Sequence, residues 1–596
     1  MALTDPVHRQ GRWFKEIHTH IGLVWGLSQP SIMVQAQLGQ DSHRWVAALA
    51  SCISKSTGEA LPVLNDQSSP MTVADVLAQA LGALQRQINV YASPRHQIRA
   101  PSEDPQLIRW YLPSRKLKVT QKLWDSWAAL LNPSQPTVGQ VELEALMQKW
   151  VSDVSQVLRP MADPRTNQFR LHEAADQLGI PVFSVLPKID ALGSGCRARW
   201  FNSTITDQTS SMGVTLASNK MQTAAVLRRV GLPGATHVLL RDAEHLRQMV
   251  DTWGFPLVIK PNDQEQGRGV AADLRTWDEV QQAYDKALQE SKQILLEKHA
   301  EGLTHRLTVM EGEVIRVTCR IAGGVEGNGQ DDIASLVQQK NSTPTFQRRI
   351  RQLGYAPLAL DQEAMQLLTR DGLTPEHVLP PGQYVRLRRR DNINAGGINQ
   401  NCPLDQVHPD NIRLALDIAA LFHLDFAGID LIIRDITQSW LATDGLVCEV
   451  NAQPQLRASD EPTLYQGILK KVFKEGAQIP ADLTLVPEGW KTDEWAASWS
   501  RQHPRMHVAC RSGLWLAGQA ITPPFANSFQ AALAAMMRKD VTALHALMDI
   551  RDALQHGLPG LSWGNLNCLD LDAPQDAPLM AMAKARMGPY FQQVIE

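Results

Sequence analysis

Two short runs constrain this chain more than any other part of it. Ala427-Gly428-Ile429-Asp430-Leu431-Ile432 is followed, after a turn, by Val447-Cys448-Glu449-Val450-Asn451-Ala452. Both have strand character, and the Asp444-Gly445 pair between them predicts a hairpin. Such a hairpin sets Asp430 beside Glu449 and Asn451. Two carboxylates and an amide are then within reach of one hard cation. Mg²⁺ takes oxygen ligands, usually one or two carboxylates together with nucleotide phosphates. The three residues are therefore the predicted metal set.

The rest of the chain has to build around that hairpin. Its 596 residues exceed one core and predict about three to four domains. Hydrophobic residues make up 44% and charged residues 20%, as in a globular protein. The net charge of −3 gives no overall pull toward nucleic acid or an anionic membrane. Seven cysteines lie singly with no C-x-x-C, as reduced thiols do. The first twenty residues are polar, and no run of about 18 apolar residues occurs, so the expectation is a soluble cytoplasmic protein.

Helix–turn–strand patterns recur at 167–183, 221–233 and 246–259, which argues for an α+β or α/β multidomain architecture. The Pro-rich stretch at 160–164 and a break near 478–487 predict three segments: 1–160, 161–480 and 481–596.

Several cations stand upstream of the hairpin. Lys220 opens a predicted helix and could meet a phosphate or simply face solvent. Lys260 ends the apolar strand Leu257-Val258-Ile259, where a lysine seldom lacks a partner. The following loop carries Gln266, Gly267, Arg268 and Gly269, whose glycines can turn backbone N–H groups toward an anion. Glu297 ends the strand Ile294-Leu295-Leu296 and could meet an adenine and ribose, or be an edge charge. Arg306 sits in an alternating strand. Arg386, Arg388, Arg389 and Arg390 precede Asn392, Asn394, Gly396 and Gly397, a cluster suited to a phosphate or substrate carboxylate, or to solvent.

In this order the motifs resemble an ATP-grasp ligase, and within that group the cyanophycin synthetases. The resemblance rests on Leu192 to Gly195, Thr204 to Ser210, Lys260-Pro261 with Gly267 to Val270, Gly327 to Gly329, Asn392 with Gly396-Gly397, His408 to Asn411, and the two hairpin runs. It covers roughly residues 160–470. It implies two α+β subdomains gripping ATP, activation of a carboxylate as acyl phosphate, and attack by an amine. It further implies that Lys220 and Lys260 hold phosphates, that Asp430, Glu449 and Asn451 hold Mg²⁺, and that Arg306 and Arg388 steady the transferred phosphoryl. The cofactors so implied are ATP and Mg²⁺. The partners are an amino-acid or dipeptide donor and a peptide or polymer acceptor, in a homo-oligomer.

The departures carry information too. The family's second module, similar to Mur ligases, has a P-loop, yet this chain has no Gly-Lys dipeptide. Residues 481–596 therefore read as a shortened remnant of that module, and a partner ligase could supply what is missing. The family's loop histidine is Gln266 here, its serine before Gly-Gly is Asn394, and its Gly-Pro-Ser-Thr clamp is Arg165-Thr166-Asn167-Gln168. All three fall where substrate would lie, Asn167 among them. The N-terminal segment corresponds to an accessory, polymer-holding domain. Its basic run Arg109, Arg115, Lys116, Lys118 and Lys122 is either a solvated face or a docking strip. Three readings follow: a polymer-extending amino-acid ligase, a small-peptide ligase of the glutathione-synthetase type, or a non-catalytic ATP-binding subunit.

Overall fold

A computed structural model describes residues 14–594, apart from short segments at 39–41, 66, 100–106, 132–137, 164–165, 263–268, 345, 348–349, 351–355, 390, 392–395, 457–460, 462 and 570–575. The chain divides into two compact units, one of residues 1–203 with 457–596 and one of residues 204–456. This partition groups the expected segments 1–160 and 481–596 in one unit and adds to it 161–203 and 457–480 of the expected middle segment.

The first unit begins with a four-stranded antiparallel sheet in the order Phe14–His20, Ser31–Gln37, Leu107–Pro113, Gln97–Arg99. Period-2 alternation in Ser31–Gln37 sends Ile32, Val34 and Ala36 inward. Helices Ser42–Thr57, Pro70–Gln87, Leu117–Leu130 and Gln140–Leu158 supply the rest of that core. The tryptophans that crowd the N-terminal sequence pack there: Trp110 lies 5.4 Å from Trp124, and its indole N–H donates to Ala74 O at 3.0 Å. The basic run is largely tied down. Arg115 donates to Val182 O at 2.6 Å, Lys116 pairs with Asp163 at 2.8 Å, and Arg109 donates to Gln35, which leaves Lys118 and Lys122 exposed.

The C-terminal part of this unit is a seven-stranded mixed sheet. Its parallel strands His507–Cys510, Leu544–Asp549, Ala481–Val486, Trp563–Cys568 and Phe591–Val594 run side by side, and a short antiparallel edge adjoins the first. The N-terminal segment is stitched by backbone to the helices and loop beside this sheet. Gly22 N–H donates to His556 O and Leu23 N–H to Leu558 O, both at 2.7 Å, and Trp25 N–H donates to Arg586 O at 2.8 Å. Gly22 is required for that approach, since a Cβ would sit 2.6 Å from His556 O.

In the second unit, a four-stranded antiparallel sheet runs Ala271–Leu274, Leu257–Pro261, Ile294–Lys298, His237–Leu239. Helices Ala243–Trp253 and Trp277–Leu288 pack on Leu257, Ile259, Ile294 and Leu296. Alternation therefore turns Lys260 and Glu297 to the opposite face. A five-stranded antiparallel sheet runs Ile398–Cys402, Glu313–Ile321, Leu303–Met310, Phe426–Ile433, Leu446–Asn451. Ala427, Ile429, Leu431 and Ile433 share a core with helix Pro409–Leu421, so Gly428 and Asp430 face the other way. Among the described residues no helix is long and apolar enough to cross a membrane.

Candidate functional site

Sheet register builds the centre of the site. Thr318, Arg306, Asp430 and Glu449 are directly opposed on four successive strands. Arg306 holds Asp430 as a two-pronged fork, Nε to Oδ1 at 2.6 Å and Nη2 to Oδ2 at 2.7 Å. Arg320 adds a second guanidinium at 3.1 Å. Asp430 is 1% exposed. Burial opposes its ionisation, but Arg306 and Arg320 outweigh burial and hold the carboxyl below its ordinary range. Gly428 makes room for the fork, because a Cβ there would lie 3.3 Å from Arg306 Nε and 3.1 Å from Pro454 Cβ.

The hairpin expected from the two acidic runs is present, with Asp430 opposite Glu449 and Gly428 opposite Asn451. Its register slips after that pair, so that Leu431 faces Val447 and Cys448 is the extra, bulged residue. The bulge brings the Cys448 thiol to 3.4 Å from the Asp430 carbonyl. The Asn451 amide nitrogen donates to Gly428 O at 3.4 Å, which leaves its oxygen as the atom a cation would use. Among the described residues no three His, Cys, Asp or Glu side chains gather into a metal cluster. Two carboxylates and an amide are nevertheless the partial oxygen set that Mg²⁺ takes alongside phosphates.

A second charge group stands on the four-stranded sheet. Lys260 Nζ pairs with Glu297 Oε2, and His237 Nδ1 lies 2.8 Å from the same oxygen. Burial works against both charges of the pair. Their mutual attraction wins, raising Lys260, and with His237 it brings Glu297 down to about 2. His237 Nε2 also reaches the Lys220 carbonyl at 3.3 Å, where Asn219 caps the helix Lys220–Arg229. The two groups meet at Cys448. Burial first, then Asp430, push its thiol well above the ordinary range, while Lys260 pulls the other way.

The remaining predicted residues are placed as follows. Arg388, predicted to steady a phosphoryl, pairs with Asp361 at 3.1 Å. Its neighbour Arg389 pairs with Glu279 at 2.5 Å and donates to Asp273 O. These two arginines thus have acid partners of their own and are not gathered with Arg306. Gly396 (φ +87°) and Gly397 are buried, and a Cβ on Gly396 would meet Leu358. Gly269 (φ +68°) packs against Pro261. Asn167 is 0% exposed in the first unit, where its amide donates to Ser203 Oγ at 3.1 Å and accepts from Tyr465 OH at 2.7 Å. Both ends of that amide serve packing. Gln266, Gly267, Arg268, Asn392 and Asn394 lie outside the described residues. Arg320 was missed by the sequence reading. A second arginine on the strand paired with the Arg306 strand was the signal available.

Residues 385–471 match the family model of the RimK-like ATP-grasp domain. The chain is 34% identical over 304 residues to the cyanophycin synthetase of Trichormus variabilis, covering 50% of this chain and 33% of that one. It is 33% identical over 288 residues to that of Synechocystis, covering 47% and 32%. A bifunctional glutathione biosynthesis protein of Streptococcus mutans is 29% identical over 275 residues, covering 43% and 35%. The matches span about a third of these relatives' length. Among solved structures, a bifunctional glutathione synthetase from Pasteurella multocida aligns over 75% of this chain and 82% of that one, with 16% identity and a TM-score of 0.39.

Proposed function

We propose that this chain is an ATP-dependent carboxylate–amine ligase that extends a cyanophycin-like peptide. The observation that carries the reading is the opposed pair Asp430–Glu449, braced by Arg306 and Arg320, within a region that matches an ATP-grasp domain and half of whose chain resembles cyanophycin synthetases. In the reaction, an acceptor carboxylate oxygen takes the γ-phosphoryl group and ADP leaves. An amine nitrogen then attacks the acyl carbon, phosphate leaves, and the nitrogen gives up a proton.

Asp430, Glu449 and Asn451 would hold Mg²⁺, which supplies charge neutralisation on the nucleotide phosphates. The chain's own residues do the rest. Lys260, kept cationic by Glu297, and Lys220 at its helix start bind phosphate oxygens. Arg306 and Arg320 keep Asp430 ionised, and they are the donors best placed for charge that builds on the transferred group. Phosphoryl transfer needs such positioning and neutralisation more than covalent help. Residues 481–596 are proposed as a structural remnant without a nucleotide site of its own, in keeping with their backbone stitching to residues 22–25.

The test is ADP release by purified protein with Mg²⁺ and ATP. Acceptors are none, short Asp/Arg peptides and cyanophycin; donors are Asp, Glu, Arg, Lys and β-aspartyl-arginine, with products read by mass. A donor-dependent ladder of products is expected, reduced roughly 100-fold or more in the Asp430→Asn, Glu449→Gln variant. A single mass increment would instead favour a small-peptide ligase. ADP release that survives in the double variant would overturn the site.

A further inference from the structure

The second face of the N-terminal sheet carries a cluster of arginines. Arg99 and Arg109 are cross-strand partners, and Tyr111 stands opposite Gln97 on the same side. The Arg99 guanidinium carbon sits 3.4 Å above the centre of the Trp25 ring, and that of Arg586, from the helix Ala577–Met587, lies 5.9 Å from it. Tyr111 meets Trp25 edge-on at 5.8 Å, and His20 stacks on Tyr111. His18 and His20 both approach the Gln555 carbonyl.

Among the described residues, none of the three arginines has a carboxylate partner. Arg109 donates to Gln35 and Arg586 to Leu554 O, while Arg99 makes only its contact with the indole. Burial, and then repulsion between arginines, lower both Arg99 and Arg586, and only the Tyr111 hydroxyl counters this. Two buried donors, the Trp25 indole N–H and Arg586 Nε, have no hydrogen-bond partner among the described residues. A buried donor without a protein partner leaves room for a water or an ion. Here the surrounding charge selects an anion.

We propose that this face binds a phosphate-type dianion. A guanidinium stacked on an indole keeps its N–H edges in one plane, the arrangement that meets two oxygens of one oxyanion. Three guanidiniums exceed what the single charge of a carboxylate would balance, whereas a phosphate carries close to two charges at neutral pH. The anion joins the N-terminal sheet to the C-terminal helix that supplies Arg586. The site shares no residue with the Asp430 centre and stands independently of the proposed ligase activity.

The experiment uses the full chain and its Arg99→Gln and Arg109→Gln variants. Arg99 is exposed and its side chain makes no hydrogen bond among the described residues, so its replacement leaves the fold intact. Binding is followed by calorimetry and by thermal midpoint against inorganic phosphate, adenosine 5′-monophosphate, succinate and chloride, at constant ionic strength. Saturable stabilisation by phosphate, weakened about tenfold or more in each variant, is expected. A matching response to the monophosphate would make a terminal phosphate ester the source, and its lack would make it the free ion. The proposal is overturned if succinate or chloride matches phosphate, if phosphate does not bind, or if both variants bind it as the parent does.

Discussion

Two clusters of charge in this molecule differ in one respect. On the second unit's sheets, Lys260 has Glu297, and Arg306 and Arg320 have Asp430. Around Trp25 stand three guanidiniums that, among the described residues, pair with no carboxylate. The first kind is complete within the protein. Its charges are fixed before anything binds, which suits a site that must not rearrange while charge develops. The second kind has no such partner among the described residues, and the proposed anion would supply it. Removing a cation should therefore have opposite consequences in the two places. Lys260→Met leaves Glu297 buried and facing only His237. Loss of one partner of a buried pair costs about 3–5 kcal/mol. Chemical denaturation of the variant should show a loss of that size, and Lys260→Met with Glu297→Leu should recover much of it. If the single variant is as stable as the parent, the pair is not the closed unit described here.

Acid offers a second way to separate them. The Glu297 carboxyl is brought from its ordinary 4.5 to about 2, against the effect of burial, by Lys260 and His237. A depressed carboxyl contributes stability that is full above its unfolded value and is lost as pH falls toward the folded one. Thermal midpoints should thus fall between about pH 4.5 and 2. Part of that slope should vanish in the Lys260→Met, Glu297→Leu variant. Neither Arg99 nor Arg586 changes charge in that window, so their variants should keep the parent's slope.

What could be read in advance follows the same division. Asp430, Glu449 and Asn451 were legible because a hairpin joins residues near in sequence, and period-2 alternation sends them to one face. The helices at 166–177, 220–229 and 243–253 were legible from their own apolar pattern and turn residues. Arg320 was not, since its contact with Asp430 depends on which strands of a five-stranded sheet lie side by side. The acids that meet Arg388 and Arg389, Asp361 and Glu279, are distant in sequence and could not be read beside them. Asn167 looked available to substrate for a similar reason: Ser203 and Tyr465, which occupy its amide, lie 36 and 298 positions away. The bond between residues 22–25 and the helices and loop beside the C-terminal sheet runs through backbone N–H and C=O groups, which leave no side-chain signature beyond the need for Gly22. The Bulge at Cys448 was equally silent, because nothing in Val-Cys-Glu-Val announces an extra residue.

The smallest effect is the sharpest test of the comparison. Arg99→Gln deletes a cation whose side chain makes no hydrogen bond among the described residues and that Arg586 repels. Most surface substitutions are neutral or mildly destabilising. Here the lost stacking on Trp25 is set against relief of like-charge repulsion. At low ionic strength without phosphate, relief should win, and the thermal midpoint should stay level or rise slightly. Added sodium chloride should erase that difference, because salt screens the repulsion in the parent. With phosphate present the order should reverse, since the parent alone gains the ligand's stabilisation. A clear fall in the midpoint of Arg99→Gln at low salt without phosphate would mean that the cluster already holds its counter-charge within the protein, and the contrast with the Lys260–Glu297 pair would collapse.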